Sequence, residues 1–440
     1  MTSITRRVTR VFVVPMLLAA APVLRAQDTT ALRSADSLLV RALVTHAMPV
    51  RLADGRLSGA GADFLIAEGG RSQFFLIGED HGMRELPQLS AALFRALRPA
   101  GYAHLAVEVG PLSAERLEAT LRTPGGLDAW GRAVRADPWA VAFDAWREET
   151  QMAADAVAAT GGRRGTIWGL DQEFIGAPAG LLRRLAAIAP NAAARALAQG
   201  YAADAVRADA RVIAEKNPTI YYMTSAPADM STRLTAAFRP GAGSEAARII
   251  DELRVSREIY AGQFDGHGYE SNDQRAGLMK RHFMERYRAA RAAGEAAPRV
   301  LVKLGGYHSI RGRSYTGVFD VGNLLSEMAA SGGARSFHLF VLTAHGTRNA
   351  FLPFAPDNAE KAHALNVAED LDFMDARPLL AAGAPDAWTV LDLRPLRGEA
   401  ERGRLGRLNP GLRTLMWGYD AVLVIPEAHA STLWIDVPPR

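Results

Sequence analysis

Phe74-Phe75-Leu76-Ile77-Gly78-Glu79-Asp80-His81-Gly82 is an apolar run that passes into two acids, a histidine and a glycine. Beyond it Leu86, Leu89, Leu93 and Leu97 recur at helical spacing. The pattern predicts strand, tight turn, helix. Side chains two apart on a strand point the same way, so Glu79 and His81 face one site. In an open α/β sheet that site lies at the carboxyl end of the strand.

Further along the chain the arrangement repeats. A second strand, His104 to Val109, carries Glu108 near its end. A third, Gly165 to Glu173, ends in Asp171 and Glu173. A fourth, Arg299 to Leu304, contains Lys303 and runs into Gly305-Gly306-Tyr307-His308. Three more follow at Phe337 to Leu342, Trp388 to Leu393 and Ala421 to Ile425. Helical patterns separate these runs, which predicts an α/β fold with a mostly parallel sheet and helices on both faces. Residues 180–295 are rich in Ala and Arg, carry few strand signals and are punctuated by Pro190, Pro218 and Pro240. They read as a helical insertion between strands three and four, a candidate lid, or else as one ordinary helical face of the sheet. The core then comprises 73–179 and 296–440. Residues 27–72 precede it as a helix, with Leu32, Leu38, Leu39 and Leu43 on one face, and a glycine-rich loop from Gly55 to Gly70.

The chain opens with Arg6, Arg7 and Arg10, then the apolar stretch Val11 to Leu24, interrupted by Pro15 and Pro22, then the small residue Ala26. This order predicts a signal peptide over 1–26 and a periplasmic or secreted product with no stable membrane span after cleavage; an anchoring first helix is the alternative. The formal net charge is +4, and residues 1–26 hold four Arg and no acid, so the remainder is neutral. A nucleic-acid partner loses its main support. There is no cysteine, which excludes disulfides, a lipoprotein anchor and Cys-containing metal sites. With 440 residues, 49% of them hydrophobic, the chain can form one large α/β domain or two smaller ones.

Four successive strands therefore end in ionisable groups, and a parallel sheet brings those ends to one edge. A charge near an apolar core must be paired or functional. Lys303 sits inside an apolar run, so Glu79, Glu108 or Asp171 is its expected partner, unless its amine reaches solvent along the sheet. His308 follows two glycines, which permit a sharp bend and close backbone approach. Glu108 alternatively caps the next helix, and Asp171 with Glu173 alternatively marks a helix start. His104, His338 and His429 read as structural, and His345 is a second candidate at a strand end. His267 and His282 reach the site only if the insertion folds over it. The sequence has no G-x-S-x-G elbow, no P-loop and no dinucleotide fingerprint after strand one.

Gly78-Glu79-Asp80-His81-Gly82 with Glu85 resembles the first motif of the erythromycin esterase family. Val107-Glu108 resembles its second acidic strand end. Arg275 and Met279, then Val300 to His308, resemble its third block, and Gly418-Tyr419-Asp420-Ala421-Val422 its closing strand. The resemblance spans residues 73–430 and implies an active-site set of Glu79, His81, Glu108 and His308. The short spacing from Glu79 to His81 is similar to that of the ChaN-like haem-uptake proteins and Tiki-type metalloproteases of the wider superfamily. Leu304-Gly305-Gly306-Tyr307-His308 stands where the esterases tend to have an Ala-His-Asn-x-His run.

These readings imply a hydrolase of ester or lactone bonds acting on a small molecule. His81 is the expected base on water, Glu79 or Glu108 its orienting acid, His308 an acid or electrophile, and Lys303 a counter-charge. Asp171, Glu173 and Arg275 are expected to bind substrate. No cofactor is required in this metal-free form. In the metal-assisted form His81, Glu79 and His308 hold a divalent ion. The other readings are a haem- or metal-binding uptake protein and a metallopeptidase.

Overall fold

A computed structural model describes residues 38–215, 217–349, 362–367 and 374–438. The expected leader and Leu32 lie outside the described residues. The strands are β1 (Ala47–Ala53), β2 (Arg56–Ser58), β3 (Phe74–Glu79), β4 (Tyr102–Val107), β5 (Ile167–Gly169), β6 (Arg299–Gly305), β7 (Ser336–Asn349), β8 (Ala362–Asn366), β9 (Trp388–Asp392) and β10 (Ala421–Ala428). Among the described residues they form one sheet in the order β2-β1-β9-β10-β7-β3-β6-β4-β5, with β8 paired to β7. From β10 to β5 all neighbours are parallel, whereas β9, β1, β2 and β8 pair antiparallel.

β3 is buried along its whole length because a strand stands on each side of it and helices cover both faces. Alternation divides its side chains. Phe75 and Ile77 join Leu105, Val107 and Leu301 in one hydrophobic cluster, which also takes Leu86, Leu89, Leu93 and Leu97 from the helix Glu85–Leu97. Those four leucines are at most 1% exposed, and each contributes about 2 kcal/mol of burial. Phe74 and Leu76 face the other way, into a cluster with Ala106, Val302, Met279 and Phe283. Lys303 pairs in register with Ile77 and Val107, so its side chain falls on the first, apolar face.

Between β5 and β6 the described chain is helical. It includes Pro178–Ala187, Ala192–Glu215, Met230–Phe238, Glu245–Phe264 and Gly268–Ala292. The segment up to Leu253 builds a hydrophobic cluster of its own, with Leu182, Leu185, Tyr201, Leu234, Ile249 and Leu253. Gly268–Ala292 packs instead on the second face of the sheet through Met279 and Phe283. Among the described residues no helix is long and apolar enough to cross a membrane.

One expectation is corrected. Residues 55–70 are not a loop: a turn at Asp54-Gly55, with positive φ at both, leads into β2 and the helix Ala60–Arg71. Glycines inside that helix serve close packing. A Cβ on Gly61 would lie 2.5 Å from Val50 Cγ2, and one on Gly69 2.5 Å from Leu97 Cδ2. Of the expected opening helix, 38–44 is helical, with Leu39 and Leu43 buried and Leu38 exposed.

Candidate functional site

Register brings the polar strand ends together. Glu79 at the end of β3 stands beside Gly305 at the end of β6, and Val107 on β4 stands beside both Lys303 and Gly169. Glu108 and Asp171 follow within two residues of those strand ends. The turn after β3 then carries His81 back over them.

His81 Nδ1 donates to Glu79 Oε1 at 2.8 Å, which fixes the tautomer and turns Nε2 toward Glu108 Oε2, 3.6 Å away. Phe143 lies against the ring, 4.2 Å between centroids. The imidazole side chain is 17% exposed. Burial pushes its pKa down, but the Glu108 charge and the Glu79 hydrogen bond outweigh that, and the net shift is upward from 6.5.

His308 sits on the short turn Gly306–Ser309 after β6. Its Nδ1 donates to Asp320 Oδ2 at 2.7 Å, and its Nε2 lies 3.5 Å from Glu108 Oε1 with no hydrogen-bond partner among the described residues. Burial again lowers the pKa, and the charges of Asp320 and Glu108 reverse it to a net rise. The two imidazoles thus flank one carboxylate. Glu108 also accepts from Arg275 Nη2 at 2.9 Å and from the Gly305 N–H at 2.5 Å. Burial opposes its charge, but His308, His81 and Arg275 hold it well below the usual carboxylate range.

The space at Gly305 is tight for any side chain. A Cβ there would lie 3.0 Å from His81 Nε2 and 3.3 Å from Glu108 Oε2. Gly306 has the same constraint, 2.7 Å from Phe340 Cε2.

Lys303 Nζ donates to Glu79 Oε1 at 2.5 Å and to Glu149 Oε1 at 2.7 Å. Burial disfavours the ammonium, yet the two carboxylates raise its pKa on balance. Glu79 Oε1 is therefore shared by a cation and an imidazole, while Oε2 has no hydrogen-bond partner among the described residues. Arg275, from the helix Gly268–Ala292, grips Asp171 through Nε and Nη2 at 2.8 and 2.6 Å and links it to Glu108.

Glu79, His81, Glu108, His308 and Lys303 thus occupy one place, joined by Asp171 and Arg275. Glu173 is turned away: it is fully buried and accepts from the Leu112 N–H at 2.7 Å and Ser113 Oγ at 2.6 Å, at the start of the helix Pro111–Leu121. His104 is held by Gly165 O and Glu295, His338 by Ser309 O, and His429 by Glu85. His282 links Leu170 O to Glu252. Four contributors escaped the sequence reading: Phe143, Asp144, Glu149 and Asp320. Glu149 lies in the first turn of Arg147–Ala159, and Asp320 caps Val321–Ser331, places where an acid is ordinary. Among the described residues no group of three or more His, Cys, Asp or Glu is arranged to hold a metal ion.

The architecture is that of an α/β protein whose candidate site lies beyond the carboxyl ends of β3, β6, β4 and β5. Among solved structures with this fold is a mutant erythromycin esterase, EreC, in its open conformation, with TM-score 0.57, 14% identity, and 89% of this chain covering all of that one. A Bacillus cereus protein (TM-score 0.53, 14% identity) and a succinoglycan biosynthesis protein (0.56, 12%) are also similar, over 90% and 91% of this chain and 99% of each of theirs. The chain has the erythromycin-esterase-like fold. No family model and no curated protein matches the sequence.

Proposed function

We propose that the protein is an exported hydrolase of ester or lactone bonds in which His81 is the general base on water. The observation that carries this reading is the placement of His81. Glu79 holds Nδ1, so Nε2 is the basic nitrogen, and it stands 3.6 Å from Glu108 Oε2, so a water bound beside the pair meets both the base and a carboxylate. His308, protonated and held by Asp320, donates from Nε2 to the oxyanion that develops on the substrate carbonyl. The likeness to an erythromycin esterase supports hydrolysis, and the leader-like residues 1–26 support export. Within the helical segment 180–295, the part before Gly268, which builds a hydrophobic cluster of its own, acts as a lid that closes over the substrate.

A panel of ester, lactone and peptide substrates, run with and without chelator, tests this function. Chelator-insensitive cleavage of esters or lactones is the expected result. Peptide cleavage that chelator abolishes would replace it with the metallopeptidase reading. A red protein with a Soret band and no hydrolysis would replace it with haem uptake.

A further inference from the structure

The proposed water activation leaves one void of the site unused. It adjoins Glu108 and is bordered by Ser113, Asp144, Asp171, Gln172 and Tyr260. It encloses about 20 Å³, room for one water-sized group. Asp144 and Gln172 are 5% and 6% exposed. Each keeps one oxygen, Asp144 Oδ2 and Gln172 Oε1, with no hydrogen-bond partner among the described residues. Buried acceptors of this kind call for a donor.

Charge points the same way. Around the site six carboxyl groups (Glu79, Glu108, Asp144, Glu149, Asp171 and Asp320) stand against four bases (Lys303, Arg275, His81 and His308). With both imidazoles protonated and all six carboxyls ionised, two carboxyls still have no matching cation, and Asp144 and Glu149, both pushed up to about 7, are the two that give up their protons late. Burial and the neighbouring Glu149 push the Asp144 carboxyl up to about 7, the behaviour of an acid without its counter-ion. A group that is both a donor and a cation meets both needs. The metal-ligand arrangement is lacking among the described residues, and the void has the size of one –NH₃⁺ head.

We propose that this void is the subsite for a primary ammonium group of the substrate, held by Asp144 Oδ2 and Gln172 Oε1 beside the Glu108 carboxylate. The inference rests on the hydrolase reading for the place of the chemistry. It narrows the substrate class to esters or lactones that carry a primary amine a few bonds from the scissile carbonyl.

Ethylammonium chloride, tetramethylammonium chloride, magnesium chloride and ethanol, matched in ionic strength at a pH where Asp144 is ionised, serve as probes of the full-length protein. Binding is read by ligand-observed NMR and by the rise in melting temperature that a folded-state ligand produces. Ethylammonium should bind at least tenfold more tightly than ethanol, and tetramethylammonium, too large for the void, should not bind there. Asp144→Asn should weaken ethylammonium binding at least tenfold. Gln172→Leu should weaken it as well, and supplies the test if the first variant fails to fold. Ethylammonium binding no tighter than ethanol, tighter binding of magnesium, or variants that bind as the wild type would overturn the subsite. Hydrolysis is not measured, so failure of the substrate panel is a separate result.

Discussion

Lys303 Nζ and Glu79 Oε1 meet at 2.5 Å, buried on one face of the sheet, on the same oxygen that accepts from His81. The contact ties the base to the core, because Lys303 is anchored on the far side by Glu149. A buried ion pair adds little net stability, but breaking one leaves an uncompensated charge.

Lys303→Met should therefore destabilise the protein by about 3–5 kcal/mol, since Glu79 and Glu149 both lose their cation. Denaturant unfolding of wild type and variant measures this. An unchanged midpoint would mean that the two carboxyls simply take up protons at no cost.

The two histidines set the pH dependence. Both pKa values are raised above 6.5. His81 must lose its proton to act as a base, so activity should rise with pH through a midpoint above 6.5. His308 must keep its proton to donate, so activity should fall again at higher pH. A bell-shaped kcat/KM profile with both limbs above 6.5 is expected. Activity that stays level on the acid side down through 6.5 would remove His81 from the role of base.

Glu173 gives a stability test with the opposite sign from a salt-bridged acid. Burial pushes its folded-state pKa up to about 7, from 4.5. Between those values the folded state holds a proton that the unfolded state has lost, so stability falls as pH rises through this window. Glu173→Gln keeps the shape and removes the charge. It should be more stable than wild type above pH 7, by on the order of 2 kcal/mol. Chemical denaturation across the window decides it, and a variant less stable at every pH would mean that the carboxylate is needed to cap the helix.

Much of the fold was legible because β3, β4 and β6 are apolar runs that end in charge, a pattern with one simple structural reading. Glu79, Glu108, Lys303 and His308 could be named for the same reason. Glu149 and Asp320 could not, because an acid in a first helical turn or at a cap already has a local explanation. β1 was hidden by Pro49 and Arg51, which interrupt a short, half-exposed strand. The helix Ala60–Arg71 was hidden by glycines that serve contact with Val50 and Leu97 rather than flexibility.

A lid over the site should change its exposure on binding. Limited proteolysis is expected to show protection of Asn217 to Arg239 when a substrate analogue from the panel is added. Equal cutting with and without the analogue would make this segment a fixed layer of the structure.

The central claim is that His81, flanking Glu108 opposite His308, activates water. On a substrate verified in the panel, turnover of His81→Ala, His308→Ala and the double variant tests it most directly. His81→Ala should lose roughly 10²–10⁴-fold in kcat while its melting temperature changes little, and the double variant should be no worse than the poorer single, as for residues that act as one unit. Wild-type turnover by His81→Ala, or losses that multiply in the double variant, would contradict the account.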